Sequence, residues 1–299
     1  MVDSVGFLDK RCLRAAFQQA APSYDSAAAL QREIGDRLIG RLDVIRLQPR
    51  SIIDLGSGTG YCTRALARRY PGARIIGVDI APAMARNAAR RTGRLSWPVS
   101  RARVRYVCGD AESLPVLSGS VDMVLSNLAL QWCSPDAVFA EIARVLRPGG
   151  VLMFTSFGPG TLRELRLAWS SVDNAPHVHD FIDMHDLGDA LLRARLVEPV
   201  VDVDRLVLTY PGVLEVLRAL KAIGAHNVAR DRHPGLTGKG RFAAFRHAYG
   251  AMAGPDGQVP VSYEVVYGHA WAPLSTDDNR WRTHGTGTVP LNAISRIRR

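Results

Sequence analysis

Apolar residues fall into two patterns along the chain, short continuous runs and helically spaced sets. Five short runs, each closed by a polar or glycine-rich turn, lie at 51–55, 75–78, 104–107, 121–126 and 151–155. Such runs, bounded by turn residues, are typical of buried strands. Helically spaced apolar residues lie between them, at 63–69, 84–91 and 137–146. Strands that alternate with helices predict an α/β fold with a mostly parallel sheet and helices on both faces.

The segments before and after this alternation have different patterns. Residues 1–50 predict an N-terminal helical cap, because Leu38, Leu42 and Ile45 recur at helical spacing. Beyond residue 156 we expect two more strands, which make the sheet seven-stranded, and three helices: strands at 200–208 and 259–266, helices at 161–172, 187–194 and 213–223. The sequence HVHDFIDMHD, residues 177–186, predicts a lid insertion. Residues 272–299 lack periodicity and are expected to form a poorly ordered tail.

Composition narrows the class of protein. Of the 299 residues, 47% are apolar and 22% are charged, which is ordinary for a soluble globular chain. No apolar run approaches the roughly 18 residues of a membrane span, and the N-terminus lacks the apolar core of a signal peptide. The four cysteines are too far apart for a C-x-x-C metal or redox pair. We therefore expect a cytoplasmic protein with reduced thiols, no membrane association and no bound metal.

The charge balance favours an anionic partner. The formal net charge is +10, and only three of the 38 basic residues are lysines, a bias that a GC-rich genome would also produce. Arg86 to Arg105 holds seven arginines and no acid, and Lys221 to Arg246 holds six cations and one acid. Basic surfaces attract nucleic acid, acidic proteins or phosphorylated substrates, and a solvated face without a partner is the alternative.

The sequence DLGSGTG, from Asp54 to Gly60, carries the strongest local motif. It places a G-x-G-x-G turn between a predicted strand and a predicted helix, with an acid two positions before the first glycine. Backbone N–H groups at such a turn face an anionic group, and the missing side chains let a ligand approach closely. The spacing resembles motif I of class I S-adenosylmethionine-dependent methyltransferases, with Asp54, Gly56, Gly58 and Gly60 at the cofactor. A purely structural turn is the alternative.

Polar residues also end or follow the next three predicted strands. Asp79 ends the second strand and can accept hydrogen bonds from both hydroxyls of a ribose, with a helix N-cap as the alternative. Asp110 and Ala111 follow the third strand, where the resemblance to this class of methyltransferase implies the acid and the backbone amide that read adenine. Asn127, at the fourth, has the position at which that class meets the amino acid end of the cofactor. Open α/β sheets bind ligands at the carboxyl ends of their strands.

Longer segments resemble one family within this class. They are AAF, YD and LQ within residues 15–31, SNLALQWC (126–133), FTSFGPGTL (154–162) and LKAIGA (220–225). These segments are similar to the malonyl-acyl carrier protein O-methyltransferases of biotin synthesis, the BioC family, over about residues 9–270. The resemblance implies a Rossmann-like class I methyltransferase fold. The half of the sheet at 51–156 would bind S-adenosylmethionine, and the half at 157–271, with the lid, would bind substrate.

The resemblance implies methyl transfer from S-adenosylmethionine to the free carboxylate of a malonyl thioester, with S-adenosylhomocysteine as the product. A carboxylate is already ionised at neutral pH, so catalysis needs placement and dehydration of the nucleophile rather than a general base. Tyr24 is expected to shape the acceptor pocket, with a core tyrosine as the alternative. Gln31 is expected to close over the cofactor, with a solvated glutamine as the alternative. Arg163 and Arg166 are the candidates for a planar cation that holds the malonyl carboxylate.

The histidines and acids of HVHDFIDMHD have a composition that could bind a metal. Their spacing matches no familiar zinc pattern, so we expect capping and packing roles. Asp183 or Asp186 can cap the helix that follows.

The implied partner is an acidic acyl carrier protein, and Lys221 to Arg246 is favoured over Arg86 to Arg105 as its docking surface. Nucleic acid is not expected, because the chain has SNLA at 126–129 in place of an N-P-P-Y tetrapeptide and few aromatic residues near the basic stretches. A small carboxylic acid or a quinone precursor is the alternative acceptor.

Overall fold

A computed structural model describes residues 8–93, 103–229, 235 and 237–274. Its strands are β1 (Ser51–Leu55), β2 (Arg74–Asp79), β3 (Arg103–Cys108), β4 (Val121–Asn127), β5 (Leu146–Phe157), β6 (Val197–Tyr210) and β7 (Val259–Trp271). They form one seven-stranded sheet in the order β3-β2-β1-β4-β5-β7-β6. Strands β1 to β5 pair in parallel, and β7 lies antiparallel between β5 and β6. The predicted mostly parallel, seven-stranded α/β fold is confirmed.

The order of the strands creates a crevice at the carboxyl edge of the sheet. From β1 the chain runs outward to β2 and β3, and it then returns to the other side of β1 for β4 and β5. The connections after β1 and β4 therefore leave the sheet toward opposite sides. Ligands of open α/β sheets bind at such a switch point.

Helices cover both faces of the sheet. They are α1 (Lys10–Ala20), α2 (Tyr24–Ala27), α3 (Ala29–Gly40), α4 (Tyr61–Arg69), α5 (Pro82–Thr92), α6 (Pro135–Val145), α7 (Arg163–Ser170), α8 (Met184–Arg193), α9 (Val213–Ala222) and α10 (Lys239–Gly250). Successive side chains of a strand point to opposite faces. On β1, Ile52 packs in a core with α3, α4, α7, α9 and α10, whereas Ile53 packs in a second core with α6 and α8.

Several elements differ from the predicted bounds. Strand β5 begins at Leu146 rather than at 151, and β7 continues to Trp271 because it pairs with β5 and β6 along its length. Helix α10 was missing from the prediction. Only Phe245 and Tyr249 of this helix are buried, so its apolar period is weak. Asp183 caps α8 by accepting a hydrogen bond from the backbone N–H of His185, as one of the two capping predictions stated.

The predicted tail, 272–299, lies outside the described residues from 275 onward. Of its first residues, Ala272 pairs its backbone with Gly149 and Gly150 at the edge of β5. The segment boundaries at 50, 156 and 271 stay predictions. None of the described helices is long and apolar enough to cross a membrane.

Candidate functional site

The glycine turn after β1 is held by close contacts. Gly56, Gly58 and Gly60 all have positive φ, at 70°, 52° and 80°, a region that residues with a Cβ rarely adopt. A Cβ at Gly56 would lie 2.2 Å from the Cβ of Ala129, and one at Gly60 would lie 2.5 Å from the hydroxyl of Tyr106. A Cβ at Gly58 would meet no protein atom within 4 Å. Two of the glycines therefore serve packing, and Gly58 is the one that faces open space.

Two buried carboxylates brace this turn. Asp79, at the end of β2, accepts hydrogen bonds from the backbone N–H of Gly58 and of Ala81, each at 2.8 Å. Asp54, in β1, accepts a hydrogen bond from the Thr63 hydroxyl on α4. Burial raises the pKa of each carboxyl to about 6, and the backbone bonds partly offset this effect at Asp79. The two acids thus tie β1, β2 and α4 to the glycine turn.

A cleft, which we call the central cleft, opens at the carboxyl ends of β1 to β4. The N-terminal cap contributes Lys10, Leu13, Phe17 and Tyr24 to its walls, and the sheet edge contributes Gly56, Gly58, Asp79, Asp110, Ala111 and Asn127. Most of the remaining wall is apolar, with a few polar groups, which is the usual character of a small-molecule site. The predicted residues at the ends of four strands therefore share one cleft.

The cap is fastened across the central cleft by an ion pair that the sequence did not indicate. The ammonium of Lys10, on α1, lies 2.6 Å from Oδ2 of Asp110 and 2.5 Å from Oε2 of Glu112. The other carboxylate oxygen of Asp110 also accepts a hydrogen bond from the backbone N–H of Glu112. These three side chains are one fifth to one third exposed, so the pairing is partly screened by solvent.

Asn127 joins the cap to the sheet on the other side. Its amide nitrogen donates to the backbone carbonyl of Gln31 at 2.9 Å, and its amide oxygen accepts from the hydroxyl of Thr155 at 2.9 Å. The next residue, Leu128, has φ of 52° and donates its N–H to the same hydroxyl. Asn127 thus positions α3 over the switch point.

A second space, the arginine recess, adjoins the central cleft and shares Tyr24, Gly56, Gly58 and Asn127 with it. Its further walls include Asp25, Arg32, Asp54, Arg64 and Arg91. Arg64 donates to the carbonyl of Thr59, and Arg91 pairs with Asp25. Two buried polar atoms at this recess, Oε1 of Gln31 and Oγ of Ser57, have no hydrogen-bond partner in the protein.

A third space, the aromatic cavity, lies against α7, α9 and the His/Asp-rich segment. It shares Trp132 with the central cleft and Gln31 with the arginine recess. Its walls include Phe157, Leu165, His179, Phe181 and Tyr263, and they continue to Ile223 and His226 after α9. The aromatic cavity therefore borders both of the other spaces, at Trp132 and at Gln31.

Comparison with known proteins gives a consistent family. A model of the methyltransferase domain matches residues 53–154. A protein of Laribacter hongkongensis (strain HLHK9) named malonyl-[acyl-carrier protein] O-methyltransferase is 52% identical over 273 residues, covering 90% of this chain and 91% of its own. One of the same name from Halorhodospira halophila (strain DSM 244 / SL1) is 46% identical over 98% of this chain and 96% of its own. The chain belongs to the malonyl-[acyl-carrier protein] O-methyltransferase family.

A solved structure supports the fold of this O-methyltransferase. The YcgJ protein from Bacillus subtilis superposes with a TM-score of 0.56 at 16% identity, covering 80% of this chain and all of its own. At that identity the likeness concerns the fold alone. The predicted class I methyltransferase and its family are therefore confirmed by the relatives and the family model together.

The predicted cofactor, S-adenosylmethionine, is the methyl donor of this class, and the residues present fit it. The central cleft offers apolar walls and two carboxylates, which suit an adenosine with its hydroxyls and amino group. The arginine recess offers two unpartnered buried oxygens and arginines, which suit an ammonium and a carboxylate. A methyl donor that spans both spaces would lie beside the aromatic cavity.

Of the predicted substrate-side residues, Tyr24 lines both the central cleft and the arginine recess. Loss of hydration and the nearby carboxylate of Asp79 raise the pKa of the Tyr24 hydroxyl well above its usual range, so it stays protonated. Gln31 lies where the arginine recess meets the aromatic cavity. The roles predicted for Tyr24 and Gln31 stay predictions.

The two predicted arginines do not line any of the three spaces. Arg163 has a side chain 65% exposed and pairs with Glu164. The chain enters α7 through Leu162 at φ of 56°, and the helix then turns Leu165, Ala168 and Trp169 inward, which leaves Arg163 outside. The guanidinium of Arg166 donates to the carbonyl of Pro159. Arg163 thus forms an ion pair at the surface, and the roles predicted for Arg163 and Arg166 stay predictions.

The FTSFGPGT segment has a structural reason for its glycines. A Cβ at Gly158 would lie 2.4 Å from Oε1 of Glu264, and one at Gly160 would lie 2.8 Å from Oε2 of the same residue. Thr161 exchanges hydrogen bonds of 3.0 Å with the backbone of Glu264. The segment thus folds against β7, and it leaves Thr161 and Leu162 at the aromatic cavity.

The His/Asp-rich segment packs against aromatic rings. The ring of His177 stacks on Trp169 with centroids 3.7 Å apart and shares a hydrogen bond with Asp173. His179 lies between Trp132 and Phe181. Within the described residues, no group of three histidine, cysteine, aspartate or glutamate side chains is arranged to hold a metal ion.

Proposed function

We propose that this chain transfers a methyl group from S-adenosylmethionine to the free carboxylate of a malonyl group carried on acyl carrier protein. The product is the methyl ester that primes pimeloyl synthesis for biotin. The observation that carries the proposal is the 46–52% identity, over nine tenths or more of both chains, to relatives named for this activity. The aromatic cavity beside the central cleft supports it with a place for the acceptor.

The chemistry requires placement more than proton transfer. A malonyl carboxylate is ionised at neutral pH and attacks without a general base. S-adenosylmethionine, when bound, supplies a methyl group activated by a sulfonium. The chain's own task is to align the carboxylate in a space from which water is excluded, and oriented groups can reach effective molarities of about 10⁵ to 10⁸ M. Trp132, Phe157 and Phe181 provide such an apolar wall.

Residues of the central cleft and the arginine recess are proposed to bind the cofactor. Asp79 accepts the ribose hydroxyls, and Asp110 with the N–H of Ala111 reads adenine. Gln31, Ser57 and the backbone near Asn127 contact the amino acid end. Tyr24 acts as a hydrogen-bond donor rather than a base, because its hydroxyl stays protonated.

One assay tests the acceptor. Mass spectrometry should show one added methyl group on malonyl-acyl carrier protein, less product with malonyl-CoA, and none with acetyl-acyl carrier protein, which has no free carboxylate. Comparable turnover of free dicarboxylic acids or quinone precursors would replace the proposal with the alternative acceptor.

The acidic carrier protein is proposed to dock on the basic surface formed by α9 and α10. Lys221, at the end of α9, is exposed. Burial and the charge of Lys221 lower the pKa of the His226 imidazole, which lines the aromatic cavity. Lys239 and Arg246 on α10 are also exposed, whereas Arg241 pairs with Asp173. Arg230 and Arg232 of the same stretch lie outside the described residues. A cytoplasmic location, where the carrier would be met, stays a prediction.

Charge reversal tests this surface. The double variant Lys221→Glu and Lys239→Glu should raise the KM for malonyl-acyl carrier protein and flatten its dependence on salt, because steering acts on association. Methylation of a small malonyl thioester should stay within about twofold. The matched control is Arg103→Glu with Arg105→Glu on β3, in the other basic stretch. A KM effect in the control but not in the first variant would move the docking surface to β3.

A further inference from the structure

His179 is a polar side chain set into an aromatic wall. Its ring lies 4.7 Å from the ring of Trp132 and 4.5 Å from that of Phe181, measured between centroids. Its Nε2 atom is buried and has no hydrogen-bond partner in the protein. Native proteins rarely leave such an atom unpaired, because the lost hydration is not recovered. The ring lines the aromatic cavity, where a ligand can supply the missing partner.

Several other polar groups of the cavity are already engaged. His177 is bonded to Asp173 and stacked on Trp169. Asn227 donates to the carbonyl of Pro176 and accepts from the N–H of Ala229. The unpaired atom of Gln31 in this wall is an oxygen, which cannot donate to a carbonyl or a carboxylate.

His179 has the electrostatic character of a neutral donor. Burial and the positive charge of nearby Arg166 lower the pKa of its imidazole to about 4, so the ring is uncharged at neutral pH. A neutral imidazole carries one N–H that can donate to a carbonyl oxygen. Unlike a paired arginine, it does not neutralise the carboxylate that must attack.

His179 lies beside a residue that the aromatic cavity shares with the central cleft. Trp132, its ring neighbour, is shared with the central cleft, so this end faces the methyl donor. Ile223 and His226 also line the cavity, and the charge of Lys221, on the proposed docking surface, acts on His226. A thioester that enters from α9 with its carboxylate toward the central cleft would bring its carbonyl along this wall.

We propose that the aromatic cavity is the acceptor site and that the imidazole of His179 donates a hydrogen bond to the thioester carbonyl of the malonyl group. This inference rests on the proposed function. His179 thereby selects a malonyl thioester over a saturated carboxylic acid of the same length.

Two variants of His179 separate the hydrogen bond from the packing. His179→Phe keeps an aromatic ring between Trp132 and Phe181 without a donor, and His179→Gln keeps an N–H donor. For a small malonyl thioester we expect kcat/KM to fall about tenfold in His179→Phe and less in His179→Gln, as for the loss of one buried hydrogen bond. The matched control is His185→Phe, because that side chain is 80% exposed on α8. Its kinetics should be unchanged.

A substrate analogue provides the decisive comparison. A 3-(alkylthio)propanoate keeps the carboxylate and the sulfur and has a methylene in place of the thioester carbonyl. The wild-type protein should methylate it about tenfold less efficiently than the malonyl thioester, whereas His179→Phe should treat the two substrates alike. The affinity for S-adenosylhomocysteine, measured by calorimetry, should be equal in the wild-type protein, His179→Phe and His179→Gln.

The outcomes are distinguishable. If His179→Phe loses the same factor on both substrates, or loses nothing, His179 does not contact the carbonyl and the inference is wrong. If the wild-type protein methylates no malonyl thioester at all, the proposed function fails instead.

Discussion

The ammonium of Lys10 lies 2.6 Å from Oδ2 of Asp110, although the two residues are 100 positions apart in the chain. The pair closes one side of the central cleft, because Lys10 begins α1 and Asp110 follows β3. Asp9, the residue before Lys10, donates its backbone N–H to the carbonyl of Val228, which follows Asn227 of the aromatic cavity. The start of helix α1 is thus attached both to the wall of the central cleft and to the segment beside the aromatic cavity.

Removing this ion pair should weaken cofactor binding modestly. We expect Lys10→Met to raise the Kd of S-adenosylhomocysteine about two- to fivefold through faster release, because partly exposed ion pairs contribute about 0.2–1 kcal/mol. The effect should shrink at high salt. Stopped-flow fluorescence measures the release. Arg14→Met, at an exposed position on the same helix, is the control and should release the ligand at the wild-type rate.

Alanine substitutions at Gly56 and Gly58 should differ in their effects on protein stability and on cofactor binding. An alanine at Gly56 or Gly58 costs about 1–2 kcal/mol of unfolding free energy for its positive φ. Gly56→Ala should lose about 1–3 kcal/mol more, because the new Cβ overlaps Ala129. Gly58→Ala adds no clash within the protein but narrows the central cleft, so cofactor affinity should fall at least about tenfold. Chemical denaturation measures the stability of the two variants, and calorimetry measures their affinity for the cofactor. Equal losses of stability in the two variants would contradict the prediction.

Cofactor affinity should depend on the protonation of Asp79. Burial raises the pKa of this carboxyl to about 6, so the ionised form, which accepts hydrogen bonds from hydroxyls, declines as the pH falls below 6. The Kd of S-adenosylhomocysteine should therefore rise below about pH 6 and be flat near pH 8. Asp79→Asn should weaken binding at pH 8 by about 1–3 kcal/mol and remove this slope.

The matched variant for this pH dependence is Asp54→Asn. Asp54 is also buried, with its pKa raised to about 6, but its side chain bonds to Thr63 within the fold. A pH slope that survives Asp79→Asn and disappears in Asp54→Asn would assign the titration to Asp54 instead.

Arg163 should contribute little to turnover. Its side chain is 65% exposed, pairs with Glu164 and lies outside the aromatic cavity. We expect Arg163→Ala to keep kcat and KM for malonyl-acyl carrier protein within about twofold of the wild-type values. A tenfold rise in KM, with cofactor affinity unchanged, would restore Arg163 as the cation that holds the malonyl carboxylate.

Features that depend on local chain chemistry were predictable. Buried parallel strands need continuous apolar runs, and the turn between a strand and a helix needs residues that tolerate positive φ, so β1 and the turn at Gly56 and Gly58 were visible in the sequence. Asp79, Asp110 and Asn127 share the cleft because parallel strands present their carboxyl ends at one edge.

The predictions were weaker for two kinds of helix. In one the apolar residues recur with little regularity, and in the other a single residue before the helix sets which face is buried. Helix α10 buries only Phe245 and Tyr249, so its sequence has no apolar stripe from which the helix could be predicted. Arg163 and Arg166 follow a conspicuous motif, but the left-handed residue Leu162 sets the rotation of α7. That rotation turns Leu165 and Trp169 inward and leaves Arg163 at the surface.

The sequence alone determined the α/β class, the glycine turn and the strand-end residues, because each follows from the backbone preferences of a few neighbouring residues. Only the tertiary structure decided that Lys10 faces Asp110 and that His179 and Trp132 line the same cavity. Neither pair lies within one element, so no local period relates its members. Their meeting depends on how α1 and the segment before α8 pack over the sheet, and that packing is set by the buried surfaces of the whole core.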